Sequence, residues 1–327
     1  MDKSDQLRPF YLARILYDRT DEDHYLTNSQ LMTILQDEFG IKTHRQTIPS
    51  DVALLRTLGM DIQEVLSSEK RYNVVSRAFD LAEIKLLIDA VHSAKFITKK
   101  KSADLVTKLT GLASRNQADT LKRNIAVEDR VKRDNENILL IIDAVNDAIN
   151  LGKKISFLYF KYDVRKRQQI RNDGEPFIFS PHHLIWNGDY YYMVGVFDNG
   201  KRFGAFRLDR IVARPEILPE KALPYPKDFK LNKYLQTSFR MYGKTYTKIE
   251  LICKNEVMDA IVDKFGKGVT VKPVDKEHFK IDVDASVNNV FFSWVFGFNG
   301  KVKINSPNEV RDQYKQMVMS AAEDLKE

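Results

Sequence analysis

The stretch from Ser180 to Ile211, S-P-H-H-L-I-W-N-G-D-Y-Y-Y-M-V-G-V-F-D-N-G-K-R-F-G-A-F-R-L-D-R-I, constrains the fold more than any other part of the chain. Asn187-Gly188 lies between apolar runs and is a strong hairpin signal, because both central residues of such a turn need positive φ. Asp198-Asn199-Gly200 repeats the device as a three-residue loop. The runs are β-branched and aromatic, so three antiparallel strands are expected. With Trp186 opposite Asp189 and Phe197 opposite Lys201, Leu184 opposes Tyr191 and Tyr191 opposes Arg207. Alternation then puts His182, Leu184, Tyr191, Met193, Ala205 and Arg207 on one face. His183, Tyr192, Phe206 and Leu208 fall on the other, core-like face. A slip of one residue would exchange the faces. A sheet that sets Arg207 and Arg210 beside tyrosines and histidines suits a flat, anionic ligand.

The chain has 327 residues, too many for one ordinary core, and two or three domains are expected. No apolar run is long enough to span a bilayer. The start, M-D-K-S-D-Q-L-R-P-F, is not that of a signal peptide. The single cysteine, Cys253, excludes an intrachain disulfide and a cysteine-based zinc cluster, and its flanks, I-E-L-I-C-K, read as a buried strand. A cytoplasmic protein is expected. Net charge is +7. The segment from 95 to 133 carries that whole excess, with Lys95, Lys99, Lys100, Lys101, Lys108, Arg115, Lys122, Arg123, Arg130, Lys132 and Arg133 against Asp104, Asp119, Glu128 and Asp129. Such a segment is either a phosphate-binding surface or a solvated helical connector.

Residues 7–60 read as three short helices. The first places Phe10, Leu12, Ile15 and Leu16 at helical spacing. Thr27-Asn28-Ser29-Gln30 is a capping-box pattern that opens the second, and Gly40 closes it. Thr43-His44-Arg45-Gln46 is another such pattern ahead of T-I-P-S-D-V-A-L-L-R-T-L. Pro49 belongs in a first helical turn, so this third helix either begins later, with Thr47 as its cap, or kinks. Two capped helices a few residues apart make a helix-turn-helix, whose second helix would enter the major groove. The β-like runs D-I-Q-E-V-L and R-Y-N-V-V around S-S-E-K suggest a wing with Lys70 and Arg71 near its tip. The DNA-facing group is His44, Arg45, Gln46, Thr47 and Ser50, with Lys70 and Arg71 on phosphates. Arg45 is the best candidate for a guanine edge or a phosphate.

Three further helices are expected at 80–96, with an Asp80 cap, at 102–113 and at 136–151, ended by Gly152. His92 on the first reads as structural. K-K-I-S-F-L-Y-F then starts a small barrel, and R-K-R-Q-Q-I-R at 165–171 is a basic loop, read as solvated. After the proline-rich crossing P-E-I-L-P-E-K-A-L-P-Y-P a new domain begins near 226. Its order is strand, helix, strand, strand, helix, strand, with a final helix capped by Ser306 and Pro307 at its first position. Trp294 and its neighbouring phenylalanines read as core. The resulting fold class is α+β. It comprises an N-terminal winged helix-turn-helix at 1–78, a helical connector at 79–150, a small β-barrel at 151–222 and a C-terminal split-βαβ domain, ferredoxin-like, at 226–327.

F-R-L-D-R-I at 206–211, preceded by N-G-D-Y-Y-Y-M-V-G and S-P-H, resembles the WYL domain. The name-giving triplet falls on Tyr191, Tyr192 and Met193, two of them substituted. R-Q-T-I-P-S-D-V-A-L-L-R-T-L-G at 45–59 resembles the winged-helix module that precedes WYL domains, and G-F-N-G-K-V-K-I-N-S-P-N-E-V resembles their C-terminal extension. The resemblance implies an SH3/Sm-like barrel and a bacterial transcription regulator. Its expected partners are a double-stranded DNA operator and an anionic effector: a nucleotide, oligonucleotide or single-stranded nucleic acid. It also implies a homodimer, with no cofactor, metal or membrane. The ligand-binding set is Tyr159, Ser180, His182, Tyr191, Tyr192, Arg207 and Arg210, and which tyrosine faces the ligand stays open. Asp209 is expected to orient Arg210.

No G-x-S-x-G, P-loop, H-E-x-x-H or dinucleotide fingerprint occurs. His182 and His183 are adjacent on a strand and point to opposite faces, so they do not share an ion. An enzyme is not expected. The alternatives are a nucleic-acid-binding accessory or scaffold without small-molecule sensing, and an enzyme acting on nucleic acid.

Overall fold

The computed structural model describes residues 3–65, 69–123, 132, 135–198, 203–225, 231, 234 and 247–325. Four expectations fall partly outside these residues. They are the Asn199-Gly200 turn with Lys201, the tip of the 66–70 ribbon loop, the basic segment beyond 123, and the start of the C-terminal region near 226. The chain divides into two compact units, Met1–Glu136 and Asn137–Glu327. Helices and strands are mixed along its length. No described helix is long and apolar enough to cross a membrane.

The first unit opens with α1 (Lys3–Arg19), longer than expected. Leu12, Ile15 and Leu16 are buried, but Phe10 is 74% exposed. At about 100° per residue, Phe10 lies on the side of the helix away from Leu12. Next come β1 (Leu26–Thr27) and α2 (Asn28–Phe39). Thr27 and Gln30 form the expected capping box, and Gly40 closes α2 in the left-handed region. α3 (Thr47–Thr57) follows. Here the Thr43–Gln46 capping box does not form: Gln46 is the cap residue, without a side-chain bond, and the Thr43 hydroxyl is buried without a partner. Pro49 explains this. It sits third in the helix, within the first turn, where its missing N–H costs nothing. The late start is thus as expected, with Thr47 inside the helix and not capping it. Arg8 of α1 clamps Asp51 of α3 through Nε at 2.6 Å and Nη2 at 3.3 Å.

β2 (Ile62–Val65) and β3 (Arg71–Val74) pair antiparallel, and β1 adds to β3, giving the order β1-β3-β2. α4 (Leu81–Ser93) begins with a capping box between Asp80 and Glu83. α5 (Lys99–Thr110) is capped by Thr98, three residues before the expected start. α6 (Arg115–Arg123), R-N-Q-A-D-T-L-K-R, was not anticipated. Among its residues whose side chains are described it buries Ala118 and Leu121, too few apolar residues to show a period.

The second unit starts with α7 (Ile138–Leu151), closed by Gly152 at φ +61°. A five-stranded sheet follows, from β4 (Lys153–Phe157), β7 (Phe177–Asn187), β8 (Tyr190–Phe197), β9 (Phe203–Arg207) and β10 (Glu216–Lys221), in the order β10-β4-β7-β8-β9. β5 (Phe160–Tyr162) and β6 (Gln168–Ile170) make a separate two-stranded hairpin. A four-stranded antiparallel sheet is built from β11 (Thr247–Lys254), β12 (Val271–Pro273), β13 (His278–Ala285) and β14 (Val302–Ser306), ordered β12-β13-β11-β14. α8 (Met258–Phe265), α9 (Asn289–Phe296) and α10 (Asn308–Glu323) accompany it. Ser306 ends β14 and Pro307 is the cap position of α10, so the proline lies one residue earlier than expected. Cys253, Phe291, Phe292 and Val295 lie in one core, with Trp294 packed against it.

Both register expectations in the five-stranded sheet change. Between β7 and β8 the pairs are Asn187 with Tyr190, Trp186 with Tyr191 and Leu184 with Met193. The turn is therefore Gly188-Asp189, with only Gly188 at positive φ, as in a type II′ turn. That two-residue shift keeps Leu184 and Tyr191 on their shared face, whereas the bulge at His182 takes Ser180 and His182 off it. Between β8 and β9 the change is odd: Tyr192 opposes Arg207, Met193 opposes Phe206 and Val196 opposes Phe203. An odd change moves Arg207 and Ala205 to the other face. A bulge at His182 adds a residue to β7, where Pro181 opposes Gly195 and His183 opposes Val194. Gly195 is required there, because a Cβ would collide with the Ser180 carbonyl and the Phe179 ring.

Candidate functional site

The sheet now has two distinct faces. Phe179, Met193 and Phe206 belong to one, where Phe157, Tyr159, Phe177 and Phe206 form an aromatic cluster with centroids 5.0–6.4 Å apart. Tyr191, half-exposed beside Trp186, shares the strand parity of this face. Tyr190, Tyr192, Val194, Ile185, Phe203 and Ala205 pack together on the opposite face with Tyr234. Arg207 belongs to that second face.

Arg207 is buried and its guanidinium is already engaged. Nε and Nη2 donate to the two oxygens of Asp209 at 3.0 and 2.7 Å. The Tyr190 ring lies against it, 3.2 Å from guanidinium carbon to centroid. Burial alone would lower the Arg207 pKa, but the hydrogen bonds and charge of Asp209 outweigh burial and raise it. The sequence pointed to Arg210 as the partner of Asp209, but Asp209 orients Arg207 instead. Arg210 ends a short turn, Leu208–Arg210, beyond β9 and is half-exposed. Tyr159 is buried, and its hydroxyl accepts the Arg207 backbone N–H at 3.2 Å. Burial holds its own pKa above the usual range.

Ser180 and His182 hold a piece of the chain itself. Ser180 Oγ accepts the Leu223 amide at 2.9 Å. His182 Nε2 donates to the Leu223 carbonyl at 2.8 Å, since a carbonyl can only accept. Tyr225 stacks on His182, centroid to centroid 4.1 Å, and on Phe203 at 5.8 Å. Residues 222–225 therefore form a strap along the arginine-bearing face. Burial lowers the His182 and His183 pKa values, and pushes the Tyr225 phenol up to about 12. The structure brings Ser180, His182, Tyr192 and Arg207 to this face and its edge, and leaves Tyr159 and Tyr191 off it. Sequence reasoning missed Tyr190, Tyr225 and Tyr234, and gave Asp209 the wrong arginine. The i, i+2 spacing of Arg207 and Asp209 was the one local signal available.

In the first unit, His44, Arg45, Gln46 and Ser50 are exposed and Thr47 is half-exposed at the start of α3. The Arg45 side chain is 66% exposed and lies 3.9 Å from Glu69, which also accepts from the Ser29 amide and hydroxyl. Those Ser29 bonds, with Arg45 nearby, keep the Glu69 pKa low. Lys70 and Arg71 are exposed, Lys70 paired to Glu64 at 2.8 Å. The first unit also has an open pocket of about 500 Å³ whose lining includes Asp21, Glu22, Asp23, His24, Arg77 and Asp80. Its acidic balance does not suit an anion.

Residues 141–214 match the WYL domain. No curated protein sequence matches the chain. Among solved structures, the chain is similar to proteasome accessory factor B/C (PafBC) of Arthrobacter aurescens, at 16% identity and a TM-score of 0.30. That match covers 94% of this chain and 47% of PafBC, so the chain spans about half of PafBC's length. It is also similar to a CRISPR Cas-related protein, at 13% identity and a TM-score of 0.39, covering 99% of this chain and 84% of that one.

Proposed function

We propose that this chain is a bacterial DNA-binding transcriptional regulator, acting as a homodimer, whose WYL domain senses an anionic effector. The match of residues 141–214 to the WYL domain carries the reading. Two features support it. The helix–turn–helix of α2 and α3, followed by the β2–β3 ribbon, reads as a winged helix that presents His44, Arg45, Gln46 and Ser50 to duplex DNA. The face carrying Arg207, Tyr190 and Tyr192 sets a cation against an aromatic ring, that of Tyr190. In this reading the four parts are 1–78, 79–150, 151–222 and 226–327, the last a split-βαβ extension.

The effector competes with two internal partners, Asp209 on Arg207 and the strap on Ser180 and His182. It must bind the strap-open form better than the closed one, or nothing changes. Arg210, half-exposed and without a carboxylate partner among the described residues, makes first contact. The test is a mobility shift on duplex DNA from upstream of the chain's own gene. Binding that weakens on Arg45→Ala supports the DNA-facing helix. A response to oligonucleotides that survives Arg210→Ala unchanged would remove the effector assignment. The closed face also favours a second reading, a nucleic-acid-binding protein without an effector. Under it, Tyr225→Ala leaves every binding curve unaltered.

A further inference from the structure

Two apolar cores of the first unit stay apart. Leu12, Ile15, Leu16, Tyr72 and Val74 belong to the one shared by α1, α2, α3 and the β2–β3 ribbon. Ile84, Ile88, Ala113 and Leu121 belong to the other, among α4, α5 and α6. Apolar packing is non-directional and lets neighbouring bodies shift, whereas hydrogen bonds fix an orientation. We infer that these two bodies meet at a hinge latched by polar bonds, with Asp21 as its pin.

The turn 20–24 after α1 grips its surroundings on several sides. Asp21 is buried. Its carboxylate accepts the Ser114 hydroxyl from the corner between α5 and α6, and His24 Nδ1 at 2.6 Å. The Asp21 carbonyl accepts Asn73 Nδ2 of β3 at 2.9 Å, and Thr20 Oγ1 accepts the Val74 amide at 2.9 Å. Arg77, between β3 and α4, donates Nη2 to the Tyr17 and Thr20 carbonyls at 2.6 Å each and lies 4.4 Å over the Tyr17 ring. The Tyr17 hydroxyl donates to the Leu112 carbonyl at 3.3 Å, on the same α5–α6 corner. Asp21–Ser114 and Tyr17–Leu112 thus tie one body to the other. Burial would push the Asp21 pKa up, but the bonds from Ser114 and His24 outweigh it and hold it low. The pin is therefore charged, and its bonds are of the stronger, charge-assisted kind.

Two features give the hinge somewhere to go. The open pocket of about 500 Å³ is walled by the parts that meet here: Glu22 and His24 from the turn, Arg77 and Phe79 from the link to α4, Asn116 and Gln117 from α6. It leaves room for the bodies to close on one another. The latched form also leaves Arg77 Nε and Nη1 and Asn73 Oδ1 buried without a partner among the described residues. Buried polar groups are ordinarily paired, so a swing that pairs these offsets part of what breaking the latch costs. The hinge does not rest on the DNA reading. Under that reading, it sets how α3 and the ribbon are carried on α4, α5 and α6.

Spin labels placed through Gln63→Cys and Lys108→Cys report the spacing of the two bodies in the full chain, since both positions are exposed and Cys253 is buried. With the latch intact, one narrow distance is expected. Ser114→Ala removes the bond to Asp21 and should raise the population of a second distance about tenfold or more, the weight of one hydrogen bond to a charged group. Tyr17→Phe keeps the ring under Arg77, loses the hydroxyl alone, and should give a smaller rise at the same second distance. Gln117→Ala removes the Oε1 bond to the Ser114 amide without touching Asp21, so its distances should match the parent. Identical distributions in all four proteins overturn the latch. A parent that already shows two comparable populations overturns it too. Broadening by Gln117→Ala as large as that by Ser114→Ala assigns the effect to the start of α6 and removes the pin. Should Ser114→Ala fail to fold, Tyr17→Phe decides, and a distribution like the parent's overturns the latch.

Discussion

The start of α3 and the face of the five-stranded sheet present their arginines in opposite ways. Arg45 is mostly exposed, with only Glu69 at 3.9 Å, and costs nothing to hand over to a phosphate. Arg207 is buried, with two bonds to Asp209 and a ring across its face. On the proposed reading, the first is a surface that would meet its partner by encounter. The second is an interior whose proposed partner would have to replace something. Exposed ion pairs contribute little to stability, whereas breaking a buried one leaves an uncompensated charge.

That contrast can be broken by substitution, the largest effects first. Asp209→Ala strands the Arg207 guanidinium in the interior and should cost about 3–5 kcal/mol, read by urea denaturation. A cost below 1 kcal/mol would mean that Arg207 is not truly buried. Gly195→Ala forces a Cβ into the Ser180 carbonyl at the His182 bulge and should cost about 1–3 kcal/mol or more in the same assay. Tyr225→Ala removes the stack on His182 and Phe203, and hydrogen exchange should show the Leu223 amide losing protection while the β8 amides keep theirs. Arg45→Ala should leave the melting temperature unaltered and weaken operator binding by about 1–3 kcal/mol. At the other limit, burial pushes the Cys253 thiol up to about 12. It should resist alkylation at pH 8 in the native protein and react only when the chain unfolds.

Legibility in the sequence followed locality. The Thr27–Gln30 and Asp80–Glu83 capping boxes and the Gly40 and Gly152 stops are decided within one helical turn, and they stand where the residues put them. The Thr43–Gln46 pattern failed because Pro49, a few residues on, decides where α3 starts. Strand pairing is not local. The Gly188 turn moved the β7–β8 register by an even step and harmlessly, but one residue in the β8–β9 connection turned Arg207 to the other face. The strap was invisible for the same reason: nothing near Leu223 or Tyr225 says that Ser180 and His182, some forty residues earlier, will hold them.

The Arg207–Asp209 pair also sets a threshold for what the sheet can recognise. Any anion that takes the guanidinium must exchange with a carboxylate that is already there, desolvated and bidentate. A ligand with a single carboxylate trades like for like and gains nothing to offset the Asp209 charge it leaves behind. A ligand with several negative charges, or one that also brings a ring to Tyr190, has a surplus. On the proposed reading, the resident aspartate would act as a built-in competitor that filters ligands by charge number before shape is consulted.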